Sequence, residues 1–491
     1  MSNNLDQQSR FAWLIVFLLF MGSVLNYMDR SLVSVILPQV RRDLAMTNAD
    51  FGLALNFFLV MYAAFYILGG RIADRLGYRG AFALTVAFWS LACMAHALVQ
   101  GLRSLALCRA LLGMGEGGFY PAAMRGAALW FPPESRAKAV GIILSALCVG
   151  AFLTPPLVAW ITLHYGWRAS FLVIGALGLL LLPPWLLLHR RIDRAREAGD
   201  PSAVSHRGEE DYAAGHPDAV SVPHPLPLGG EGGPPPAFSS AGAGEPCAVS
   251  RPLPLGGEGG SLSAFSSAGA GRVRGSPTRI LPAEDDPSLS EVLKTRKYWC
   301  VLGARASCDA AWYFYLFWIS GYFQDVRRFD LATVGRFLWI PFFCAGVGAL
   351  SGAWASSALI RRGLGLDRSR KTVLFASLSL CVVGASACFA PAAYLALALV
   401  SLALFGHQSF GSNIHTVITE ITPPTHVSVL YGITGAAGTL LGAAAQLAIG
   451  RVIDLFGYKP AFVWAGGMAV LAAILLLAAG TIERIRRNAA F

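Results

Sequence analysis

Ionisable side chains interrupt two of the apolar stretches of this sequence at positions where they could do chemistry. Asp29 and Arg30 lie in the first stretch, and Arg109 and Glu116 lie in the fourth. An ionisable group at membrane depth costs several kcal/mol unless it is paired or hydrated, so each is a candidate for function. A guanidinium remains charged there and binds a carboxylate through two parallel hydrogen bonds. These residues suggest a site for an organic anion.

The spacing of Arg109 and Glu116 indicates a site between them and not a direct ion pair. Seven residues are two helical turns, so the two side chains share one helix face about 10 Å apart. A carboxyl removed from water favours its neutral form and can load and release a proton near neutral pH. One fixed cation and one titratable acid are the minimum for proton-coupled uptake of an anion. The alternative is a structural ion-pair network, in which Asp29 and Arg30 neutralise their neighbours.

The seventh apolar stretch carries a second pair of charges and a run of aromatic residues. Arg305 and Asp309 are four residues apart, which is typical of an ion pair within one helix, and a structural role is favoured for them. The aromatic run Trp312–Trp318 is equally consistent with a wall that faces a sugar and with an aromatic belt at the membrane interface.

Polar side chains in the tenth apolar stretch are further candidates for a binding cavity. Gln408 and Asn413 could hydrogen-bond a substrate, and His407 stands 291 residues after Glu116. His407 could line the cavity or share a proton, although a hydrogen-bonded packing role is favoured.

Twelve apolar segments must position these side chains. The chain has 491 residues, of which 55% are hydrophobic and 14% charged, whereas soluble proteins carry about 25% charged residues. A helix needs about 20 apolar residues to cross a bilayer. We therefore predict an all-α membrane protein with twelve transmembrane helices, at residues 11–38, 50–69, 80–100, 103–125, 137–160, 168–188, 297–320, 332–357, 372–390, 392–417, 427–449 and 460–481.

The two halves of the chain look like duplicated six-helix units. A shift of 291 residues superposes the fifth and sixth segments on the eleventh and twelfth, and it matches Gly166 with Gly457 and Gly175 with Gly466. We predict two pseudo-symmetric bundles, residues 1–188 and 297–491. Residues 189–296 form a Pro/Gly/Ser-rich cytoplasmic linker with a near-duplicated insert, which is predicted to be disordered. Transporters of this construction bind substrate near the midplane, between the halves.

The charge pattern argues for a membrane protein and against a nucleic-acid partner. The net charge is +11, but the basic residues lie in short loops between apolar segments. Arg71, Arg75 and Arg79 share one such loop, which predicts that this loop and both termini face the cytoplasm of a bacterial inner membrane.

No cofactor is expected. The cysteines have no metal-ligand spacing. Gly113–Gly118 matches a dinucleotide-binding pattern, but no strand precedes it, and close helix packing is the preferred explanation. No catalytic triad, metal cluster or phosphate loop is present, so we expect no enzyme activity and a monomer driven by a proton gradient.

The loop between the second and third segments resembles the loop signature of the major facilitator superfamily. Gly70, Asp74, Arg75 and Gly77 fit its pattern of glycine and aspartate followed by basic residues. The glycines let helix ends approach closely, and Asp74 can meet the positive N-terminus of a neighbouring helix. We expect this loop to act in gating. The alternative is an ordinary cytoplasmic basic turn.

Together the motifs resemble the anion:cation symporter family of that superfamily, and most closely its hexuronate-transporter branch. The residues that carry the resemblance are Asn26-Tyr27-x-Asp29-Arg30, Gly70–Gly80, Arg109-x₆-Glu116-x₂-Phe119-x-Pro121, Trp312–Tyr322 and Phe405–Glu420. The resemblance implies uptake of carboxylated sugars with protons. It implies that Arg30 and Arg109 bind the substrate carboxylate, supported by Tyr27 and Tyr62. Asn413 would hydrogen-bond its hydroxyls, and Asp29 and Glu116 would carry protons.

The sequence therefore favours a proton-coupled importer of a hexuronate or related sugar acid that works by alternating access. Its partners are the anion, protons and the lipid bilayer. Another carboxylate, such as an aromatic acid or a tartrate-like dicarboxylate, or an organic phosphate stays open, as does a receptor that binds without transport. Two buried arginines disfavour an antiporter of cationic drugs.

Overall fold

The computed structural model of the chain describes residues 2–131, 133–198, 287–423 and 426–486. Within these ranges the chain is helical. Its helices are α1 (Ser2–Val35), α2 (Leu37–Asp43), α3 (Asn48–Ala95), α4 (Leu102–Gly117), α5 (Phe119–Trp130), α6 (Pro133–Tyr165), α7 (Trp167–Leu180), α8 (Leu182–Glu197), α9 (Leu289–Lys294), α10 (Arg296–Asp325), α11 (Leu331–Phe337), α12 (Trp339–Arg361), α13 (Leu366–Ala385), α14 (Ala393–Ile421), α15 (Val427–Phe456) and α16 (Lys459–Ala478).

The helices account for all twelve predicted membrane segments. In the described ranges, nine helices are long and apolar enough to cross a membrane by length and composition alone. One of them, Asn48–Leu98, has 51 residues and holds the second and third predicted segments. The fourth segment (α4 and α5) and the seventh (α10) are also helical. Their buried charged residues lower their hydropathy, which is why composition alone does not select them.

The third helix is broken at Gly77, where the second segment turns into the third. Gly77 has φ 69° and ψ 165°, a conformation that glycine adopts without steric cost. The glycine predicted from the loop motif is therefore required by the backbone itself.

Equivalent glycines in the two halves confirm the predicted pseudo-symmetry. Gly166 has φ 82° immediately before α7, and Gly457 has φ 73° immediately before Tyr458 and α16. The second matched pair, Gly175 and Gly466, also packs in the same way in both halves. A β-carbon at Gly175 would lie 2.7 Å from the carbonyl oxygen of Ser90 in the third segment, and one at Gly466 would lie 2.9 Å from Ala385 in the ninth.

The glycine-rich run Gly113–Gly118 packs α4 tightly against α3, as expected from the sequence. A β-carbon at Gly117 would lie 2.6 Å from the carbonyl oxygen of Tyr62, and one at Gly115 would lie 2.7 Å from Trp89. A β-carbon at Gly113 would collide with the carbonyl oxygen of Phe58. This contact places Glu116, which lies within the run, beside the cavity described below.

We expect replacement of Gly113 by valine to destabilise the protein by about 1–3 kcal/mol, because the added side chain has no space between α3 and α4. The thermal unfolding midpoint of the purified protein in detergent measures this effect. The matched control is Gly467→Val, at a position in α16 where a β-carbon meets no atom within 4 Å. Equal midpoints for the two variants would contradict the packing account.

The predicted linker is shorter than residues 189–296. Helix α8 continues to Glu197, and a short helix, α9, begins at Leu289. The end of α8 is held by polar contacts with the loop of Gly77. His189 lies 3.0 Å from the hydroxyl of Tyr78, and Arg79 donates two hydrogen bonds to Asp193 at 2.8 and 2.6 Å. Residues 199–286, including the duplicated insert, lie outside the described residues.

Hydrogen bonds join the two halves at one end of the molecule. We call this the Asp454 end, and we call the opposite end, which carries the loop of Gly77, the Asp74 end. Asp454 accepts hydrogen bonds from the backbone amides of Asn48 and Ala49 at 3.1 and 2.7 Å, where the positive N-terminus of α3 favours a carboxylate. Arg41 donates to Asp325 across the same junction at 2.9 Å. These contacts bring the halves together above a shared cavity.

Candidate functional site

A cavity of about 230 Å³ lies between the two halves, and side chains of both line it. A cavity of this size has room for several water molecules or for one small organic molecule. Its lining is aromatic and polar, and it comprises Tyr27, Arg30, Tyr62, Ala63, Tyr66, Tyr120, Leu147, Arg305, Asp309, Trp312, Tyr313, His407, Gln408, Gly411, His415, Gly435, Ala436 and Thr439.

Arg30 connects this cavity with Glu116, a carboxylate that has no solvent-exposed surface. Nε and Nη2 of Arg30 donate hydrogen bonds of 3.1 and 2.9 Å to the same oxygen of Glu116. Nη2 also lies 3.4 Å from the amide oxygen of Asn26. Among the described residues Nη1 has no acceptor, so one side of the guanidinium is left for a ligand in the cavity.

Aromatic rings hold the Arg30 guanidinium in place. Its central carbon lies 4.4 Å from the ring centroid of Tyr62 and 5.4 Å from that of Tyr27, within the range of cation–π contacts. The indole of Trp312 donates a hydrogen bond of 2.8 Å to the hydroxyl of Tyr27. Tyr27 and Tyr62, which the family resemblance implies as supports of the substrate, therefore flank Arg30 on the cavity wall.

Asp29 and Arg109 lie behind this wall and do not line the cavity. Both side chains are fully buried. Within the described part of the chain, none of the three guanidinium nitrogens of Arg109 has a hydrogen-bond partner, and the carboxylate of Asp29 lies beside Cys93 and Trp89. Asp29 directly precedes Arg30, and neighbours on a helix point about 100° apart, which turns Asp29 away from the cavity. Arg109 was predicted to bind the substrate carboxylate, but in this conformation it faces the interior of its own half, 5.9 Å from the ring of Phe171.

The four predicted charges of the first half thus form one buried cluster. Asp29, Arg109 and Glu116 lie within electrostatic range of one another, and Arg30 joins the cluster through Glu116. Two arginines and two acids balance formally. Buried polar groups without a hydrogen-bond partner are rare in folded proteins, so the charges of this cluster are candidates for a functional role. Only Arg30 of this cluster reaches the cavity.

The second half places another ion pair on the cavity wall. Nε of Arg305 lies 3.3 Å from a carboxylate oxygen of Asp309, and Nη1 donates to the hydroxyl of Thr434 at 2.5 Å. The guanidinium also lies 4.8 Å from the ring centroid of Tyr431. The spacing of the pair favoured a structural role. The pair does form, but both of its members also face the cavity.

His407 and Gln408 line the cavity, in keeping with the candidates named from the tenth segment. The ring of His407 stacks on Trp312 with centroids 5.0 Å apart, and its Nε2 lies 2.9 Å from the carbonyl oxygen of Cys308. Nδ1 of His407 has no partner among the residues that the structure describes. His407 therefore combines the packing contact and the cavity position that the sequence treated as alternatives.

Asn413 lies outside the cavity, although the resemblance implied that it would bind substrate hydroxyls. Its amide group donates to the carbonyl oxygen of Ser409 at 3.0 Å and accepts from Arg370 at 3.4 Å. Arg370 in turn binds Glu420 at 2.7 Å. Five residues separate Asn413 from Gln408, which is about 140° around a helix, so the two side chains face different neighbours.

The predicted gating loop is held at the Asp74 end by an arginine of the fourth segment. Arg125 donates to a carboxylate oxygen of Asp74 at 2.6 Å and to the carbonyl oxygen of Ala73 at 2.9 Å. Asp74 thus contacts a side chain near the end of α5 in this conformation, and not a helix N-terminus. Arg75 is exposed. A β-carbon at Gly70 would meet no atom within 4 Å, so packing in this conformation does not require glycine there.

Tyr66 is a cavity residue that we did not predict, and Tyr313 belongs to the aromatic run that was equally consistent with a sugar-facing wall and with an interfacial belt. Tyr66 follows Tyr62 by four residues, and the two ring centroids lie 6.0 Å apart on one face of α3. Tyr313 stacks on Phe317, also four residues away, at 5.9 Å. The four-residue spacing of aromatic residues was therefore a usable signal for this wall.

A larger cleft of about 650 Å³ opens between α1, α6 and α7, but apolar side chains such as Met21, Leu153 and Trp160 line it. It contains no ionisable group, so it offers nothing for an anion. Within the described ranges, no three His, Cys, Asp or Glu residues come together as a metal site. The candidate site is therefore the cavity between the halves.

Comparison with protein-family models identifies the Major Facilitator Superfamily, whose model matches residues 19–366. Curated relatives match nearly the whole chain. The hexuronate transporter of Escherichia coli (strain K12) is 23% identical over 97% of this chain and 94% of the relative. The D-galactonate transporter of Escherichia coli O6:H1 is 26% identical over 98% and 99%. A probable galactarate/D-glucarate transporter of Escherichia coli (strain K12) is 25% identical over 96% of each chain.

A solved structure has a similar fold. It is a bacterial homologue of the human lysosomal transporter Spinster in an inward-facing and occupied conformation, with a TM-score of 0.64 and 16% sequence identity. The match covers 95% of this chain and 96% of the other. This likeness supports the twelve-helix architecture.

Proposed function

This chain belongs to the major facilitator superfamily, and we propose that it is a proton-coupled symporter that imports a hexuronate or a related sugar acid. As a member of that superfamily it is a multi-pass membrane transporter, and its similarity to transporters of hexuronate, D-galactonate and galactarate/D-glucarate supports a small organic acid as substrate. It is not an enzyme and needs no cofactor.

The contact between Arg30 and Glu116 carries this proposal. Arg30 presents an unpaired nitrogen to the cavity, while its other nitrogens bind a buried carboxylate. When Glu116 is ionised, it competes with the substrate carboxylate for the same guanidinium. When Glu116 is protonated, it holds Arg30 less strongly, and Arg30 can form a two-bond contact with the substrate. Proton binding and anion binding thereby favour each other.

Asp29 and Arg109 act behind Arg30 in this proposal. Asp29 carries a second proton, and Arg109 stabilises whichever of Asp29 and Glu116 is ionised. Arg109 contacts the substrate only if movements of the helices bring its guanidinium to the surface of the cavity. Tyr27, Tyr62 and Gln408 surround the sugar, and Asn413 acts indirectly through the packing of its helix.

Alternating access follows from the arrangement of the halves. We propose that the Asp74 end faces the cytoplasm, because basic loop residues gather at that end. The contacts of Asp454 and Arg41 then close the outer side, and this conformation opens inward. Rocking of the halves about the cavity would break these contacts and expose Arg30 to the outside. The protein would reside in a bacterial inner membrane with both termini in the cytoplasm and work as a monomer.

Competition in proteoliposomes tests the substrate class. We expect the purified protein to accumulate labelled glucuronate, with inhibition by unlabelled galacturonate, galactonate and galactarate but not by glucose, which has no carboxylate. Uptake must be saturable and must stop when the liposomes are lysed. Stronger competition by benzoate, tartrate or glycerol 3-phosphate would assign another substrate class. Saturable binding without accumulation would indicate a receptor, and either result would overturn the proposal.

A further inference from the structure

We propose that Arg305 forms a second anion-binding subsite, so that the cavity is built for a sugar acid with a carboxylate at each end. This inference rests on the proposed function and narrows its substrate class. The first carboxylate binds Arg30, and the second binds Arg305 at the opposite end of the same cavity.

The neighbours of Arg305 fix its guanidinium in place but leave its Nη2 without a hydrogen-bond acceptor among the described residues. Thr434 accepts from Nη1 at 2.5 Å, Asp309 lies 3.3 Å from Nε, and the ring of Tyr431 lies 4.8 Å from the guanidinium. None of the described residues accepts a hydrogen bond from Nη2. A fixed guanidinium with a free nitrogen on a cavity wall is the geometry that binds a carboxylate.

The two arginines lie at different depths of the cavity. Tyr27, three residues before Arg30, is hydrogen-bonded to Trp312 of α10. Ser34, four residues after Arg30, donates to the carbonyl oxygen of Phe317 of the same helix. Arg30 therefore lies between the levels of Trp312 and Phe317. Arg305 precedes Trp312 by seven residues on the same helix, and seven residues are about 10 Å at 1.5 Å each. An extended six-carbon chain with a carboxylate at each end can bridge two guanidinium groups at this order of separation, whereas a single carboxylate contacts only one.

The wall between the arginines suits a polyhydroxylated chain. Tyr62 touches Arg30, Tyr66 follows on the same face of α3, and Tyr66 also lies within electrostatic range of Arg305. Gln408 and Thr439 add polar groups to the same cavity. Aromatic faces pack against the carbon chain of a sugar, and hydroxyl and amide groups hydrogen-bond its hydroxyls.

Glycines of α15 keep space for the charged pair of α10. A β-carbon at Gly438 would collide with a carboxylate oxygen of Asp309, and one at Gly435 would lie 3.3 Å from Nη2 of Arg305. Asp309 and Arg305 therefore pack directly against the backbone of α15 at these glycines. Because no side chain stands there, the guanidinium can reach the cavity.

A diacid and a monoacid would make different use of the two ion pairs on the cavity wall. Glu116 offsets Arg30, and Asp309 offsets Arg305. A monoacid would bind Arg30 and leave the Arg305–Asp309 pair as it is. A diacid would use the free nitrogens of both arginines, so its binding depends on Arg305 in a way that monoacid binding does not.

Selectivity measurements test this subsite. Counterflow of labelled galacturonate, a monoacid, and of labelled galactarate, a diacid, is measured in proteoliposomes with the wild type, Arg305→Gln and Arg305→Lys. We expect the wild type to prefer galactarate in kcat/KM. Arg305→Gln should reduce the ratio of galactarate to galacturonate roughly 10- to 100-fold, the loss of a charged hydrogen-bonded contact. Arg305→Lys keeps the positive charge but cannot form two parallel hydrogen bonds with a carboxylate. Its ratio of galactarate to galacturonate should therefore lie between those of the wild type and Arg305→Gln.

Arg168→Gln is the matched control, since Arg168 is a half-exposed arginine beside Asp43 and does not line the cavity. Its ratio should equal that of the wild type. An unchanged ratio in Arg305→Gln, or a wild type without preference for galactarate, would overturn the second subsite and leave the proposed function standing. A wild type that moves no sugar acid at all would overturn both.

Discussion

Replacing Arg30 by glutamine is expected to abolish concentrative uptake of every sugar acid, with kcat/KM lowered about 100-fold or more. Arg30 is the one member of the buried cluster of the first half that lines the cavity, and its Nη1 has no acceptor among the described residues. Glutamine retains much of the volume but has no charge to offer a carboxylate. Initial rates of labelled glucuronate uptake into proteoliposomes, corrected for the amount of reconstituted protein, measure the effect.

The substitution also leaves Glu116, which is fully buried, without its ion-pair partner. Removal of one partner of a buried pair typically costs about 3–5 kcal/mol, so misfolding must be separated from loss of binding. The double variant Arg30→Gln with Glu116→Gln leaves no unpaired charge at this contact. We expect it to be monodisperse in detergent and inactive, while Arg168→Gln transports normally. Substantial uptake by the double variant would remove Arg30 from the binding site.

Replacing Glu116 by glutamine is expected to separate exchange from accumulation. Glutamine has nearly the shape of the acid and can still meet Arg30, but it cannot take up or release a proton. Exchange of internal for external substrate needs no net proton movement, so counterflow should persist. Accumulation driven by a pH gradient should fail, because the step that links the proton to the guanidinium is missing.

The size of this second effect follows from the gradient applied. A gradient of one pH unit stores about 1.4 kcal/mol per proton, so each proton that accompanies the anion supports roughly tenfold accumulation. The wild type should reach at least that ratio, and Glu116→Gln should stay near equal concentrations. The control Glu483→Gln alters an exposed acid that pairs with Lys297 outside the cavity and should behave as the wild type. Accumulation by Glu116→Gln would refute the role of this carboxyl.

Local sequence patterns were sufficient to predict the architecture. Apolar segment lengths placed the twelve crossings, and the repeat of 291 residues identified the two halves through Gly166 and Gly457, which share a positive φ before their helices. Burial of Asp29, Arg30, Arg109 and Glu116 also followed from their position within apolar segments. These properties depend on short stretches of chain, which the sequence contains, and on the bilayer thickness, which is a general property of membranes.

The assignment of side chains to the cavity depends on how helices from different parts of the chain rotate and pack, which local patterns do not contain. Arg109 and Glu116 share a helix face, yet only Glu116 reaches Arg30, because Arg109 lies nearly two turns away among residues of its own half. Asn413 turns to Arg370, and Arg305 faces the cavity while it keeps its partner Asp309. Only the packed helices reveal these differences.

The contact between the halves at the Asp454 end also could not be predicted from the sequence. Asp454 caps a helix that begins about 400 residues earlier in the chain, through the backbone amides of Asn48 and Ala49. A contact over such a distance has no local signature. It matters for function, because alternating access requires that this junction open and close.

The central claim is that anion transport is coupled to protons through the buried charges next to Arg30. The most direct test is to add sugar acid to wild-type proteoliposomes that contain a trapped pH-sensitive dye and start without any gradient. The account predicts that substrate entry acidifies the lumen, that a proton ionophore dissipates the signal, and that Glu116→Gln gives none. Entry of labelled substrate into wild-type liposomes without any acidification would contradict it.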